Sequence, residues 1–209
     1  MKKYFLFMAV ALTGLIFTAC SDDDGPAAPG DTNEYYIDAT TSGQWNYFSF
    51  AKGELVGTGM ENDADNAAWF ARSDWDIAIN RYNIRTNGGE ATTVNSKGGV
   101  YTYDDAANAA SIFSSILNVP NGISFDADKA ITSSGMGGTT TVVRSEATVI
   151  LFKKNEDGSS IMPPVYLQAP AYIFRSASGS SYYKVLFEYY QNATGVSGHV
   201  TFKAAQIYQ

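Results

Sequence analysis

The chain has 209 residues, enough for one domain, and 45% of them are apolar, enough for a real core. Charged residues make up only 17% and aromatic residues 14%, a balance typical of β structure. The net charge of −7 argues against a nucleic-acid-binding face. One Cys and one His exclude an intrachain disulfide and multi-Cys or paired-His metal sites.

The first twenty residues have the pattern of a targeting signal. Lys2 and Lys3 precede an apolar run from Tyr4 to Phe17, which is shorter than the roughly 20 residues of a membrane-spanning helix. The sequence FTAC that ends at Cys20 has the form of a lipobox, with Phe17 in place of the usual Leu. We predict that residues 1–19 are removed and that Cys20 is lipidated. The alternative is plain secretion with an incidental Cys.

Residues 20–34 are predicted to be a disordered acidic tether, because they contain five acidic residues, two prolines and no basic residue. The run Ser21–Asp24 resembles the acidic signal that directs some Gram-negative lipoproteins to the outer cell surface. The alternative is a merely soluble linker. We therefore expect an outer-membrane lipoprotein that is exposed at the cell surface and contacts the membrane only through its lipid.

Residues 35–209 are predicted to form a single all-β domain, mainly antiparallel and sandwich-like, with at most one or two short helices. The predicted strands, from residue patterns and turn signals, are Trp45–Phe50, Trp75–Ile79, Tyr82–Thr86, Gly99–Tyr103, Thr139–Phe152, Val165–Leu167, Tyr172–Arg175, Tyr182–Tyr190 and His199–Lys203. Strict alternation predicts that Trp75, Ile77 and Ile79 share one face. The best helix candidate is Asp104–Leu117, ended by Pro120.

Catalytic motifs are weak in this sequence. A Ser-His-Asp triad would have to use His199, which begins an apparent strand and is better explained as a strand residue. Asp74 and Asp76 would share one strand face and Asp104 and Asp105 are adjacent, but solvated strand edges or helix caps explain both pairs more simply. The Gly-rich stretch 135–138 lacks the Lys of a phosphate-binding loop. We predict that the protein is not an enzyme.

Methionine is the remaining chemical signal. Met136 lies in SSGMGG without an apolar neighbour, and Met162 is followed by two prolines. Met60, in another loop-like stretch, is a reserve candidate. Thioether sulfur suits Cu(I) and haem iron. From composition alone, ordinary gap-filling methionines remain the simpler explanation.

Several stretches together resemble the HmuY family of haem-binding outer-membrane lipoproteins. The most specific of them is WDIAINRYNIRTNGG, at residues 75–89. The others are Tyr36–Ala39, Trp45–Phe50, Lys52–Glu54, Lys97–Gly99, Tyr183–Val185, Tyr189–Asn192 and Val200–Phe202. The resemblance covers nearly the whole chain after the signal peptide.

The resemblance implies an irregular, hand-like β domain that clasps one haem b. The best-known member uses two His ligands on two loops, which this chain cannot supply. Met136 stands almost where the first ligand is expected, ahead of the Ser145-Glu146 pattern. Met162 falls just before the strand marked by Tyr166, where the second is expected, in a loop that seems shorter. We therefore predict Met136 and Met162 as axial ligands of haem iron, with Met60 and His199 as substitutes. Arg81, Arg85, Lys97 and Arg144 are the candidates for contact with the haem propionates.

These expectations describe a surface-anchored haemophore. It would take haem from its surroundings or from host haemoproteins and pass it to a TonB-dependent outer-membrane receptor. One rival hypothesis is a structural or adhesive surface lipoprotein on the same fold without haem. Another is a glycan-binding lipoprotein that uses Trp45, Trp69 or Trp75 as a stacking platform, although core packing explains these tryptophans better.

Overall fold

The computed structural model describes residues 30–135 and 138–209, with only the backbone of residues 134 and 135. The predicted signal peptide, the predicted lipidation site Cys20 and the predicted ligand Met136 lie outside the described residues.

The described part of the chain forms strands joined by short connections and two short α-helices. The strands are β1 (Asn33–Asp38), β2 (Gln44–Ser49), β3 (Glu54–Met60), β4 (Ile77–Asn80), β5 (Asn83–Thr86), β6 (Gly99–Thr102), β7 (Lys129–Gly135), β8 (Gly138–Arg144), β9 (Ile150–Phe152), β10 (Tyr166–Gln168), β11 (Tyr172–Arg175), β12 (Tyr182–Gln191) and β13 (Ser197–Ile207). The α-helices are α1 (Asp63–Phe70) and α2 (Ala109–Ser115), and single 3-10 turns span Gly89–Ala91 and Ala106–Asn108.

Two antiparallel sheets form a β-sandwich. The larger has the strand order β1–β13–β12–β11–β6 and the smaller has the order β3–β2–β4–β5. Apolar side chains of both sheets, including Ile77, Phe174 and Phe202, meet in one core. The all-β, mainly antiparallel class predicted from the sequence is confirmed.

The outer faces of the two sheets are covered differently. Helix α1 and part of β8 cover the smaller sheet over a cluster that contains Trp45, Trp69 and Trp75. Helix α2 covers the larger sheet, where Phe113 packs with Leu186. Within residues 30–135 and 138–209, no helix is long and apolar enough to cross a membrane.

Three details of the predicted elements are wrong. Trp75 packs with the tryptophan cluster, whereas Ile77 and Ile79 lie in the sandwich core. The strand begins only at Ile77 and is buried on both faces. The alternation of apolar and polar residues therefore could not predict which face packs in the sandwich core. The predicted strand Thr139–Phe152 is interrupted between β8 and β9, where Ser145 turns away to bond Ile84 O through its backbone N (3.0 Å) and Oγ (2.8 Å).

The third detail is the helix predicted over Asp104–Leu117. The α-helix spans only Ala109–Ser115, because Ile116 is extended (φ −74°, ψ 113°), well before Pro120. Asp105 serves as the cap of the preceding 3-10 turn by accepting a bond from Asn108 N.

Strands β1, β3 and β7 and helix α1 were not predicted. Strand β1 begins at Asn33, within the segment interpreted as a tether. Strand β3 was not predicted because it contains Gly57 and Gly59, and glycine is uncommon inside strands. A Cβ on Gly59 would lie 2.6 Å from Trp69 Nε1, so the glycine is needed for the close approach of that ring.

Candidate functional site

The first of two hairpins outside the sandwich sheets is β7–β8. Its ladder runs from Lys129 opposite Arg144 to Gly135 opposite Gly138. The predicted ligand Met136 falls between the last two residues, outside the described part. The side chains of β8 are exposed up to Thr141 and half-buried from Val142 onward, so this hairpin is packed against the domain only at its base.

Polar contacts fix the base of this hairpin to the smaller sheet. Arg85 Nε donates to Val143 O at 2.8 Å. Ala130 N donates to Glu90 Oε2 at 3.1 Å. Both strands of the hairpin are therefore anchored to the domain near their sandwich ends.

The second hairpin consists of β9 and β10 and carries Met162 in its connecting segment. Lys153 N donates to Val165 O at 2.9 Å and Asn155 N donates to Ser159 O at 3.0 Å, so the segment is partly ordered by its own backbone. The Met162 side chain is 80% exposed. The Met162 thioether is thus exposed to solvent in a segment whose two ends are held by the paired strands β9 and β10.

Several apolar residues of this hairpin, close to Met162 in sequence, are exposed. We call them the hairpin apolar surface: Leu151, Phe152, Met162, Val165 and Leu167. Leu151 and Leu167 are directly opposed in the β9–β10 ladder. Phe152, opposed to Tyr166, lies on the other face of the ladder, so both faces of this hairpin carry exposed apolar side chains.

Aromatic rings lie at the foot of the same hairpin. The Phe152 ring is 4.9 Å from Tyr82 and 5.7 Å from Tyr166, and Tyr166 is 5.1 Å from Tyr190. A pocket of about 210 Å³ opens beside Tyr166, Leu167 and Tyr190. Its volume is below the roughly 300 Å³ at which typical ligand pockets begin, so a large planar ligand would have to lie on the hairpin surface rather than inside it.

The reserve ligands lie on other elements. Met60 ends β3 in the smaller sheet, and its backbone N donates to the Asp65 carboxylate. His199 lies on β13, where its Nδ1 is hydrogen-bonded to Tyr36 Oη. The expectation that Met60 is a loop residue is wrong, and neither residue belongs to the β7–β8 or β9–β10 hairpin.

Three of the four proposed propionate partners have at least some exposure. Arg81 is half-buried, and its Nη1 donates to Thr40 O (3.1 Å) and Ser197 O (3.0 Å). Lys97 is exposed ahead of β6. Arg144 is the last residue of β8, and it is therefore the candidate that belongs to one of the two hairpins. Its Nη1 donates to Ser145 O at 2.9 Å.

The fourth, Arg85, is fully buried and cannot reach a propionate at the surface. Its guanidinium contacts Glu61 Oε2 at 3.0 Å, Asn66 Oδ1 at 3.0 Å and Tyr47 Oη at 3.1 Å. Its Cζ lies 4.0 Å from the Trp45 ring centroid. Burial raises the pKa of Tyr47 to about 12. Arg85 is a structural residue, and its proposed contact with the ligand is wrong.

Asp128 immediately precedes β7 and is buried. Its carboxylate accepts bonds from Thr86 N at 3.0 Å and Thr86 Oγ1 at 2.6 Å. Burial raises the pKa of Asp128 to about 7, against the lowering effect of those bonds. This carboxyl therefore titrates near neutral pH at the base of the first hairpin.

The carboxylate pairs considered as catalytic groups have structural partners. Asp76 accepts from Phe50 N at 2.8 Å and from Ala177 N at 2.9 Å, and burial raises its pKa. Asp74 instead pairs with Arg72, whose guanidinium donates to both carboxylate oxygens. Within the described residues, no group of three or more His, Cys, Asp or Glu side chains could hold a metal ion.

The three tryptophans are buried together and form no exposed stacking platform. The Tyr47 ring stacks on Trp69 at 3.8 Å, and Trp75 Nε1 donates to Trp69 O at 3.1 Å. The hypothesis that they bind glycans is therefore wrong.

Sequence patterns missed the residues that make the second hairpin unusual. Leu151, Phe152 and Leu167 lie in strands, where apolar residues ordinarily indicate a core, and nothing in the sequence separates them from buried strand residues. The burial of Asp128 could not be predicted from its neighbours in sequence, because its partner Thr86 is 42 residues away.

Comparison of the sequence and of the fold with known proteins identifies one family. A model of the family described as HmuY protein matches residues 41–203. No curated protein sequence shows significant similarity to the chain.

Three crystal structures share the fold. A candidate lipoprotein from Bacteroides fragilis is 23% identical, with a TM-score of 0.57 over 85% of this chain and 90% of its own. A candidate HmuY-like haem-binding protein from Bacteroides vulgatus is 23% identical, with a TM-score of 0.56 over 83% and 91%. The apo HmuY analogue of Tannerella forsythia is 22% identical, with a TM-score of 0.52 over 88% and 100%. With the family match covering more than half of the sequence, the chain belongs to the HmuY family.

Proposed function

We propose that this protein is a surface-anchored haem-binding lipoprotein that captures haem by axial ligation and delivers it to an outer-membrane receptor. The observation that carries the proposal is Met162, a thioether that is 80% exposed within the hairpin apolar surface of an HmuY-family chain. The match to the family and the similar fold of an HmuY-like haem-binding protein support haem as the ligand.

The chemistry of the second hairpin fits haem. A thioether is a soft donor suited to haem iron. The faces of a porphyrin are apolar and aromatic, and the hairpin exposes Leu151 and Leu167 on one face and Phe152 on the other. Burying one Met side chain against such a ligand stabilises the complex by about 1.5–3 kcal/mol, which favours an exposed methionine as a binding element.

Met136 is the second proposed ligand. It follows Gly135 in sequence, and the pairing of Gly135 with Gly138 supports a position beside the hairpin that Arg85 and Glu90 anchor. We propose that haem is held between the two hairpins and released by exchange of these ligands at the receptor. Among the basic residues, Arg144 is the preferred propionate partner, because it belongs to the first hairpin.

A pair of Met ligands sets the redox preference. Met raises the reduction potential of haem iron relative to His. A thioether also does not protonate near neutral pH, as imidazole does. We therefore expect the protein to bind reduced haem better than oxidised haem and to retain it in mild acid.

The remaining parts of the proposal concern location and partners. Cys20 would carry the lipid, and residues 20–34 would connect it to the domain. A TonB-dependent haem receptor would accept the cargo, and host haemoproteins would be among its sources. No catalysis is involved. A structural or adhesive role without haem is the rival function, whereas a glycan role has lost its support because the tryptophans are buried.

The test is a haem titration of residues 21–209, which contain every described strand, followed by absorbance with and without dithionite. We expect saturation at one haem per chain and low-spin bands in the reduced state. Met136→Ala and Met162→Ala should each weaken these bands. Leu55→Ala is the control, because Leu55 is an exposed apolar residue of β3 in the smaller sheet and has no proposed role in ligand binding.

Two results would change the proposal. A wild-type spectrum equal to the sum of protein and free haem would exclude haem binding and favour the structural role. Normal binding in both single variants would retain the function but rule out this ligand pair, and Met60 and His199 would then be tested.

A further inference from the structure

Lys184 is a cation beneath a helix on the outer face of the larger sheet. Its neighbours in sequence, Tyr183 and Val185, point into the sandwich core. Lys184 itself points to the opposite side, level with Ile173 and Ala205 in the register of the adjacent strands. It is only 6% exposed, so the ammonium group lies in apolar surroundings.

The ammonium of Lys184 has partners but no counter-charge. Its Nζ donates to Ile116 O at 3.0 Å and lies 4.8 Å from the Phe113 ring centroid. No carboxylate of the described residues forms an ion pair with it. An ammonium has three N–H donors, and a buried charge without an opposite charge is costly. Burial accordingly lowers the pKa of Lys184.

Lys184 lines a pocket of about 290 Å³. The rest of the lining combines apolar and aromatic residues with three polar or small ones: Ile116, Leu117, Ile207, Tyr208, Asn118, Gln206 and Gly30. One side is closed by backbone bonds from Val119 N to Tyr208 O (2.8 Å) and from Tyr208 N to Leu117 O (3.3 Å). The space corresponds to about ten water molecules in the liquid, so it suits a small organic molecule rather than a single ion.

We propose that this space, the Lys184 pocket, binds a small amphiphile that has one carboxylate and a short alkyl chain. The carboxylate pairs with the free donors of Lys184, and Leu117, Ile207 and Tyr208 cover the chain. A lysine that only caps the end of α2 through Ile116 O requires no adjoining apolar space. The pocket is lined by none of the residues of the β9–β10 hairpin, so the proposal is independent of haem binding.

The test is isothermal titration of residues 21–209 with octanoate, acetate and octanol. Octanoate combines the charge and the chain, whereas acetate lacks the chain and octanol lacks the charge. We expect octanoate to bind at one site and the other two compounds to bind at least tenfold more weakly. Equal binding of octanoate and octanol would overturn the role of Lys184, and absence of octanoate binding would overturn the site.

Variants locate the site. Lys184→Met should weaken octanoate binding at least tenfold, while Lys203→Met, which removes a lysine already paired with Glu188 at 2.8 Å, should leave it unchanged. Leu117→Glu is a second variant at an exposed position and should also weaken binding by repulsion, even if Lys184→Met fails to fold. Full octanoate affinity in Leu117→Glu, or in a folded Lys184→Met, would overturn the proposal.

Discussion

Two aromatic-rich regions of this protein differ in what surrounds their rings. Around Arg85, the rings of Trp45, Tyr47 and Trp69 are buried. On the β9–β10 hairpin, Leu151, Phe152 and Leu167 of the strands and Met162 of the connecting segment are exposed. The first region has its polar groups matched within the protein, and the second has apolar surface that nothing in the described chain covers. Aromatic content therefore does not distinguish a buried cluster from an exposed surface, whereas the exposure of the side chains does.

The buried region around Arg85 and the exposed β9–β10 hairpin should also differ in how much they contribute to stability. Groups that are matched inside the protein contribute to the free energy of unfolding, whereas exposed groups are free to contribute to binding. Each of the following substitutions tests one side of that division.

The largest loss of stability is expected for Arg85→Met. Removing the buried guanidinium takes the counter-charge from the half-buried Glu61 and the donor from Asn66 Oδ1 and Val143 O, and breaking a buried ion pair costs up to about 3–5 kcal/mol. We expect a loss of that size in the free energy of unfolding, measured by urea denaturation. Lys129→Met removes an exposed partner of Glu146 and should leave the unfolding midpoint unchanged. Equal effects of both variants would contradict the division.

Asp128 gives the next effect, which depends on pH. Its pKa is raised from 3.8 to about 7 in the folded protein. Between these values the folded state keeps a proton that the unfolded chain has released, so stability falls as the pH rises from about 4 to 7. We expect this fall to be on the order of 2–4 kcal/mol, measured by urea denaturation at intervals across that range.

The variant Asp128→Asn should remove this part of the pH dependence, and Asp126→Asn, at an exposed neighbouring position, is the matched control. Asp76 contributes a dependence of the same sign, since its pKa is also raised. The informative quantity is therefore the difference between wild type and variant. A difference that does not change with pH would contradict the buried proton.

A smaller effect is expected for Gly59→Ala beneath the Trp69 ring. The added Cβ would lie 2.6 Å from Trp69 Nε1, and overpacking of this kind typically costs about 1–3 kcal/mol. Thr58→Ala, at the exposed position beside it, controls for the change in strand propensity. If Gly59→Ala were as stable as wild type in urea denaturation, the Trp69 side of the molecule would be less tightly packed than the structure indicates.

The smallest change in stability is expected for Met162→Ala. An exposed substitution of this kind usually changes stability by less than about 0.5 kcal/mol, yet haem binding should be weakened. The measurements are the urea midpoint and the haem titration on the same sample. A large loss of stability would show that Met162 packs within the fold and is not free to act as a ligand.

Much of the sandwich was predictable, because its strands combine aromatic and β-branched residues with clear turn signals. The predicted strand Trp45–Phe50 corresponds to β2 at Gln44–Ser49, and Tyr82–Thr86 corresponds to β5 at Asn83–Thr86. Strand β3 was missed because Gly57 and Gly59 have low strand propensity, and only the packing of Trp69 explains them. Tertiary contact of this kind leaves no local signal.

The candidate site was less predictable than the fold. Met162 was proposed from the two prolines that follow it and from the family resemblance, and the structure shows that it is exposed. The role of Arg85 was misjudged, because a basic residue in a strand ordinarily faces solvent. Its burial depends on Glu61 and Asn66, which reach it from sequence positions 24 and 19 residues away. The pairing of Met136 with Met162 stays a prediction.

The position of β1 at the edge of the larger sheet has a mechanical consequence. Gly30 N donates to Gln206 O at 3.0 Å, and among the residues that the structure describes β1 pairs only with β13. A pull transmitted along the chain to Gly30 loads that bond first, and then the β1–β13 ladder from Asn33 opposite Ala204 onward. The sandwich core beneath is loaded only after this edge strand begins to peel. Under a pull applied at the N-terminal side, β1 would therefore detach from β13 before the sandwich core is disrupted.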